Sequence, residues 1–290
     1  MKDCIIGIPI KNNSIYLEKF FKHLITLKKC FNKYQIIFVY DNITLNTDNS
    51  IELINNFIKD NNNLNIKLLE SCNELHDINI QIEQRVIHIC NARNTILEYI
   101  RKYCNNYHYF IMMDANYSCT ENIETFDIEK IKHYLNKDNE WDAISFNRKN
   151  YYDIWALSLK PYITSCWHCI RDSTFNLLQR ETIFTKIKEN FYKNINNISQ
   201  KELLDVHSAF CGFAIYKTNI FLKSHYHYLM DLSLFDKDEL KESINLLPFS
   251  KKTMMIHSDC EHRYFHLNAK KKLNARIKLA NDDIFIYKSK

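Results

Sequence analysis

Glycine and proline are nearly missing from this chain of 290 residues: Gly7 and Gly212, then Pro9, Pro161 and Pro248. A phosphate-binding loop or a dinucleotide fingerprint needs several glycines, because the backbone must come close to the phosphates. Both devices are excluded, so a nucleotide must be held some other way, such as through a metal. No window reaches the roughly 20 apolar residues of a membrane span. Charge of one sign is also scarce. The formal net charge is +5, and no concentrated basic face of the kind nucleic-acid binders carry is visible. The nearest candidate, Lys270-Lys271-Lys272 with Arg276 and Lys278, reads as a solvated helix face. Residues 1–10 lead into a strand rather than an apolar leader, so the ten cysteines imply reduced thiols and a cytoplasmic protein. Cys166-Trp-His-Cys169 has the spacing of half a zinc site, with His168 inside it, but no second pair follows.

What is present is ordinary globular material, 46% hydrophobic and 25% charged. The abundance of Asn, Ile, Lys and Tyr suggests an AT-rich coding genome, and runs such as Asn61-Asn62-Asn63 read as loop filler. Apolar strands are expected at 4–10, 34–40, 64–69 and 109–113. Between them lie amphipathic helices at 15–32, 48–60 and 84–104. This β-α-β-α-β-α-β order predicts a mostly parallel sheet with right-handed crossovers. The second half is less regular. Strands are expected at 141–146 and 209–216, an extended piece at 153–157, helices at 172–192 and 199–204, and from 253 a strand, a His-rich segment and a basic helix. Nothing marks a linker, so one domain over 1–290 is expected, with a ligand-binding half at 1–120.

The run Tyr109-Phe-Ile-Met-Met113 stops on the acid-x-amide triplet Asp114-Ala115-Asn116. Hard divalent cations take oxygen ligands, and a carboxylate at a strand's C-terminal edge can meet a metal there. Asp41 ends the second strand on the same rim. Arg85 and Arg93 lie eight residues apart on one helix, slightly over two turns, and can present two cations to a diphosphate.

In order and spacing, Ile6-Gly-Ile-Pro-Ile-Lys11, Tyr40-Asp41, Ala92-Arg93-Asn94-Thr-Ile-Leu97 and Met112-Met-Asp-Ala-Asn116 resemble GT-A fold glycosyltransferases of the D-x-D type. Asn150-Tyr-Tyr-Asp-Ile-Trp-Ala-Leu157 and Cys211-Gly-Phe-Ala-Ile-Tyr216 look like acceptor-side segments of a branch with fungal capsule-associated and giant-virus glycosyltransferases. The resemblance spans most of 4–270. It implies a Rossmann-like α/β fold, with a mixed, mostly parallel sheet flanked by helices and an irregular acceptor-side C-terminal half. It also implies transfer of a sugar from a UDP- or GDP-sugar to a hydroxyl of a glycan or protein acceptor. With the coding bias, it suggests a large DNA virus as source and the host cytoplasm as location. A homo-oligomer is left open.

By the same resemblance, Asp41 would bond the nucleoside, Pro9 and Ile10 would line the base pocket, and Arg93, with Arg85, would face the sugar or diphosphate. Asp114, Asn116 and His262 would hold Mn2+ or Mg2+, with His266 the second choice for the imidazole; a neutral imidazole favours Mn2+. Asn116 departs from the pattern, because a carboxamide oxygen ligates without the charge of a carboxylate. In an inverting enzyme, a carboxylate base takes the acceptor's proton. Asp205 stands at the family's distance for it, with Glu261 and Asp153 as rivals; a retaining enzyme needs no such base. Asp153, Trp155 and Gly212 would meet the acceptor, and the aromatic faces of Trp155, Trp167, Tyr151 and Tyr152 suit sugars. The competing readings are a non-catalytic glycan- or protein-binding module on the same fold and a sugar-nucleotide nucleotidyltransferase, which lacks its glycine-rich loop here.

Overall fold

The computed structural model describes residues 1–41, 47–71, 81–148, 151–163, 176–199, 202–229, 231–246 and 259–288. The first half runs β1 (Cys4–Ile10), α1 (Ser14–Leu27), β2 (Tyr34–Tyr40), α2 (Ser50–Asp60), β3 (Asn65–Glu70), α3 (Gln81–Tyr103) and β4 (Tyr109–Met113). There follow β5 (Ile123–Phe126), α4 (Ile128–Asn136), β6 (Ala143–Phe146), α5 (Leu177–Asn196), β7 (Leu203–Asp205), β8 (Phe213–Lys217) and α6 (Thr218–Phe221). The chain then forms α7 (Lys237–Leu246), α8 (Glu261–Leu273), β9 (Ile277–Ala280) and β10 (Phe285–Tyr287).

Eight of these strands form one sheet in the order β3-β2-β1-β4-β8-β6-β9-β7. β3, β2, β1 and β4 are mutually parallel. β8 runs antiparallel to both β4 and β6, β9 is parallel to β6, and β7 closes the edge antiparallel to β9. The mixed, mostly parallel sheet flanked by helices is the α/β class that the strand–helix alternation implies.

Continuous apolar strands suit a sheet covered on both sides. Side chains alternate between faces along each strand, so Ile5, Phe110 and Met112 meet α3, while Ile6, Ile8 and Ile111 pack toward α1. α3 lies so close to β1 that a Cβ on Gly7 would collide with Ile96 Cγ2. That approach carries the middle of α3 to the sheet's rim. Among the described residues no helix is long and apolar enough to cross a membrane.

Several local expectations are corrected. Residues 203–205 are an edge strand, not the end of a helix, because Leu203 and Leu204 pair with β9. The strand expected from 209 begins only at Phe213: Cys211 at φ 55° and Gly212 at φ 85° form a left-handed turn. Residues 153–156 are a turn rather than an extended piece, closed by Ala156 N–H donating to the Asp153 carbonyl at 3.2 Å. The Cys166–Cys169 motif, Trp167 and the stretch just after 253 lie outside the described residues.

Candidate functional site

Strand order reverses between β1 and β4, since the chain builds outward to β3 before returning to add β4 on the other side of β1. Open α/β sheets bind ligands at the carboxyl ends of strands flanking such a reversal. Ile10, Asp41 and Asp114 sit at the ends of β1, β2 and β4, on that one rim.

Asp114 is the rim's central group. Its Oδ1 accepts from Arg93 Nη2 at 3.0 Å, and its Oδ2 accepts from the Tyr152 hydroxyl at 3.0 Å. Its own N–H donates to the Gly212 carbonyl at 2.9 Å. Arg93 is 1% exposed and reaches a second carboxylate, with Nε 3.2 Å from Glu261 Oε1 at the start of α8. Its guanidinium lies over the Phe210 ring at 4.7 Å, while Nη1 has no hydrogen-bond partner among the described residues. Burial alone would lower the pKa of Arg93, but Glu261 and Asp114 outweigh it and raise the value, so the side chain stays charged.

A third acid completes the cluster. Asp153 is pushed up to about 7, first by burial and then by the charges of Glu261 and Asp114, with Arg93 pulling the other way. Glu261 is raised by burial, with Arg93 opposing. Tyr117, directly after the Asp114-Ala115-Asn116 triplet, is exposed and meets Tyr152 edge-on at 5.8 Å. Burial and then Asp153 raise the pKa of Tyr117, while Arg85 and Arg148 stand near enough to pull the other way. Two strands away, Asp41 Oδ2 lies 3.2 Å from His88 Nδ1, and both side chains are largely buried.

Of the anticipated site residues, Asp114, Arg93, Glu261 and Asp153 come together, with Asp41, Pro9 and Ile10 on the same rim and Arg85 exposed on α3. Trp155, 38% exposed, lies two residues beyond Asp153. Asp205 is elsewhere: it ends β7, four strands beyond β4, with its side chain 79% exposed and paired to Lys278 Nζ at 2.7 Å. At about 4.8 Å per strand that is roughly 19 Å of sheet, too far for a proton transfer at Asp114. Gly212 is buried, not open to an acceptor: an added Cβ would lie 2.6 Å from Ser118 Oγ. Its carbonyl instead fixes the Asp114 backbone.

The described residues do not fit a divalent ion. Both Asp114 oxygens accept hydrogen bonds. Asn116 Oδ1 accepts from the Ser118 N–H at 2.8 Å, capping the short turn that follows. His262 is 1% exposed and stacked on Phe210 at 3.6 Å. Burial, followed by Arg93 and His266, lowers its pKa, and neither ring nitrogen has a hydrogen-bond partner among the described residues. One neutral imidazole makes no site while Asp114 and Asn116 are engaged. Both nitrogens of His266 are committed, one to Ser208 Oγ at 2.8 Å and the other to the Tyr216 hydroxyl at 3.0 Å. Among the described residues no group of three or more His, Cys, Asp or Glu side chains could hold a metal.

His88, Tyr117, Phe210 and Arg148 were not anticipated. Arg85 and His88 stand at the i, i+3 spacing of one helix face, which could have flagged His88; nothing local marks Phe210.

No protein-family model and no curated protein matches the chain. Among solved structures, S. aureus TarS 1-349 in complex with UDP-GlcNAc is similar at 14% identity and TM-score 0.45, over 100% of this chain and 59% of that one. The mannosyltransferase PcManGT from Pyrobaculum calidifontis, in complex with GDP-Man and Mn2+, is similar at 12% identity and TM-score 0.40, over 78% and 50%. The mannosyltransferase Ktr4p from S. cerevisiae gives 13% and 0.34, over 92% and 65%. The chain thus spans about three fifths of the TarS chain. At such identities and scores, what those proteins bind says nothing of this chain's residues.

Proposed function

We propose that the chain is a GT-A-type glycosyltransferase that moves a sugar from a nucleoside-diphosphate donor to a hydroxyl of a glycan or protein acceptor. One observation carries this reading: a buried arginine, Arg93, tied between Asp114 and Glu261 at the strand ends where the sheet order reverses. Asp41 ends a strand two places from β4, about 10 Å away, a distance of nucleoside size. That spacing supports a nucleoside near Asp41, Pro9 and Ile10, with its diphosphate toward Arg93 and Arg85. Residues 1–120 would serve the donor and 121–290 the acceptor, within one domain.

Asp153 suits the base better than Asp205. Among the described residues its carboxylate accepts only the Ala156 N–H, at 3.3 Å, whereas Glu261 is held by Arg93. In the step we propose, the acceptor O–H proton passes to Asp153 as the acceptor oxygen bonds to the sugar's anomeric carbon. The carbon–oxygen bond to the diphosphate breaks, and its electron pair leaves with the diphosphate. A base near its pKa at neutral pH is well matched to this transfer. Trp155, Tyr152 and Tyr117 are flat faces on the acceptor side.

The test is a panel of UDP- and GDP-sugars, reading release of nucleoside diphosphate with water or added saccharides as acceptor. Release from at least one donor, abolished in Asp153→Asn, is expected. Silence across the panel, with donors still bound, would favour a non-catalytic binding module.

A further inference from the structure

We infer that Arg93 occupies the seat a divalent cation would take, so that this chain binds a nucleoside diphosphate without a metal. This rests on the donor reading above and says how that site meets its anion.

An octahedral or looser divalent site needs oxygen or imidazole ligands free to turn toward the ion. Asp114 has one oxygen on Arg93 and the other on the Tyr152 hydroxyl. The triplet's amide, Asn116, spends its oxygen on Ser118. Freeing Asp114 would leave Arg93 with Glu261 as its one carboxylate in a buried place, and weakening a buried ion pair is costly.

Arg93 has what a divalent ion would supply at that place. It is a permanent cation with five N–H donors in a flat fork that matches phosphate oxygens. Nη2 is used on Asp114, Nε faces Glu261 and Tyr226 stands beside the guanidinium, while Nη1 has no hydrogen-bond partner among the described residues. An unspent donor on a buried guanidinium needs an acceptor oxygen, and a phosphate supplies one. Asp114 and Glu261 are positioning residues in this arrangement: they hold the fork in place from α3's neighbours, β4 and α8. The ring of Phe210 fixes its plane from one side.

Charge balance allows it. Asp114, Glu261 and Asp153 stand against Arg93, Arg85 and Arg148, all near one another at the rim. Asp153, pushed up to about 7, carries less than a full negative charge near neutral pH, which eases the approach of a diphosphate.

The experiment is calorimetric titration of UDP and of GDP into the full chain, first in EDTA and then in excess Mn2+. Binding of at least one nucleotide in EDTA, with a Kd within about threefold of that in Mn2+, is the expected result. Binding only in Mn2+, or tightened tenfold or more by it, overturns the inference and leaves the donor reading standing. Absence of binding in both buffers removes the donor reading and this inference together. Arg93→Lys keeps the charge and loses the fork. It should lose tenfold or more in affinity in EDTA without recovery in Mn2+; recovery in Mn2+ would contradict the role assigned to the guanidinium.

Discussion

Arg93 Nη2 donates to Asp114 Oδ1 across 3.0 Å, joining the middle of α3 to the end of β4. The same guanidinium reaches Glu261 on α8. A single side chain therefore ties α3 and α8 to the end of β4.

Arg93→Ala leaves the partly buried Asp114 and the buried Glu261 without the guanidinium that pairs them. Removing one partner of a buried ion pair costs about 3–5 kcal/mol. Urea unfolding should show a loss of that order, and Glu261→Gln, which keeps the shape and removes one charge, should lose less.

Asp153 sets a pH dependence with a definite sign. Its folded pKa is raised to about 7 from the ordinary 3.8, so between those values the folded protein holds a proton that the unfolded chain has released. Stability therefore falls as pH rises through this window and levels off above about 7. A base must be unprotonated, so sugar transfer should rise over the same range. Thermal melts of Asp153→Asn from pH 4 to 8 should be flatter than those of the parent chain, and its activity should be lost at every pH.

Asp205→Asn tests the discarded base. An exposed ion pair such as Asp205–Lys278 contributes about 0–1 kcal/mol. The variant should keep its nucleotide affinity and donor turnover, with a melting temperature close to the parent's. A large loss of turnover would restore Asp205 to the site.

Gly212→Ala should be more disruptive than its distance from any ligand suggests. The position has φ 85°, and the new Cβ would press on Ser118 Oγ. A left-handed residue with a Cβ costs about 1–2 kcal/mol, and overpacking adds about 1–3. Because the Gly212 carbonyl holds the Asp114 N–H, nucleotide affinity should fall along with stability in denaturant titrations.

The meeting of Asp41, Asp114 and Arg93 near one rim was legible because its signals are local. An apolar run ending in Asp114, another ending in Asp41, and a helix carrying Arg93 each fit within a few residues, and parallel pairing places them together. Glu261 and Asp153 were among the candidates, yet nothing in their own segments says that α8 brings Glu261 against α3. Asp205 misled for the converse reason. Its strand exists only through pairing with Ile277–Ala280, more than 70 residues later in the chain. The acid-x-amide triplet suggested a metal, and the hydrogen bonds that occupy it come from Arg93, Tyr152 and Ser118, partners that spacing does not reveal.

The most direct measurement is a crystal structure of the chain soaked with UDP and, separately, GDP. The expected map has a pyrophosphate between the ends of β1 and β4, with a phosphate oxygen within about 3 Å of the Arg93 guanidinium, and the nucleoside toward Asp41. A nucleotide bound elsewhere on the sheet, with Arg93 still enclosed and untouched, would contradict it.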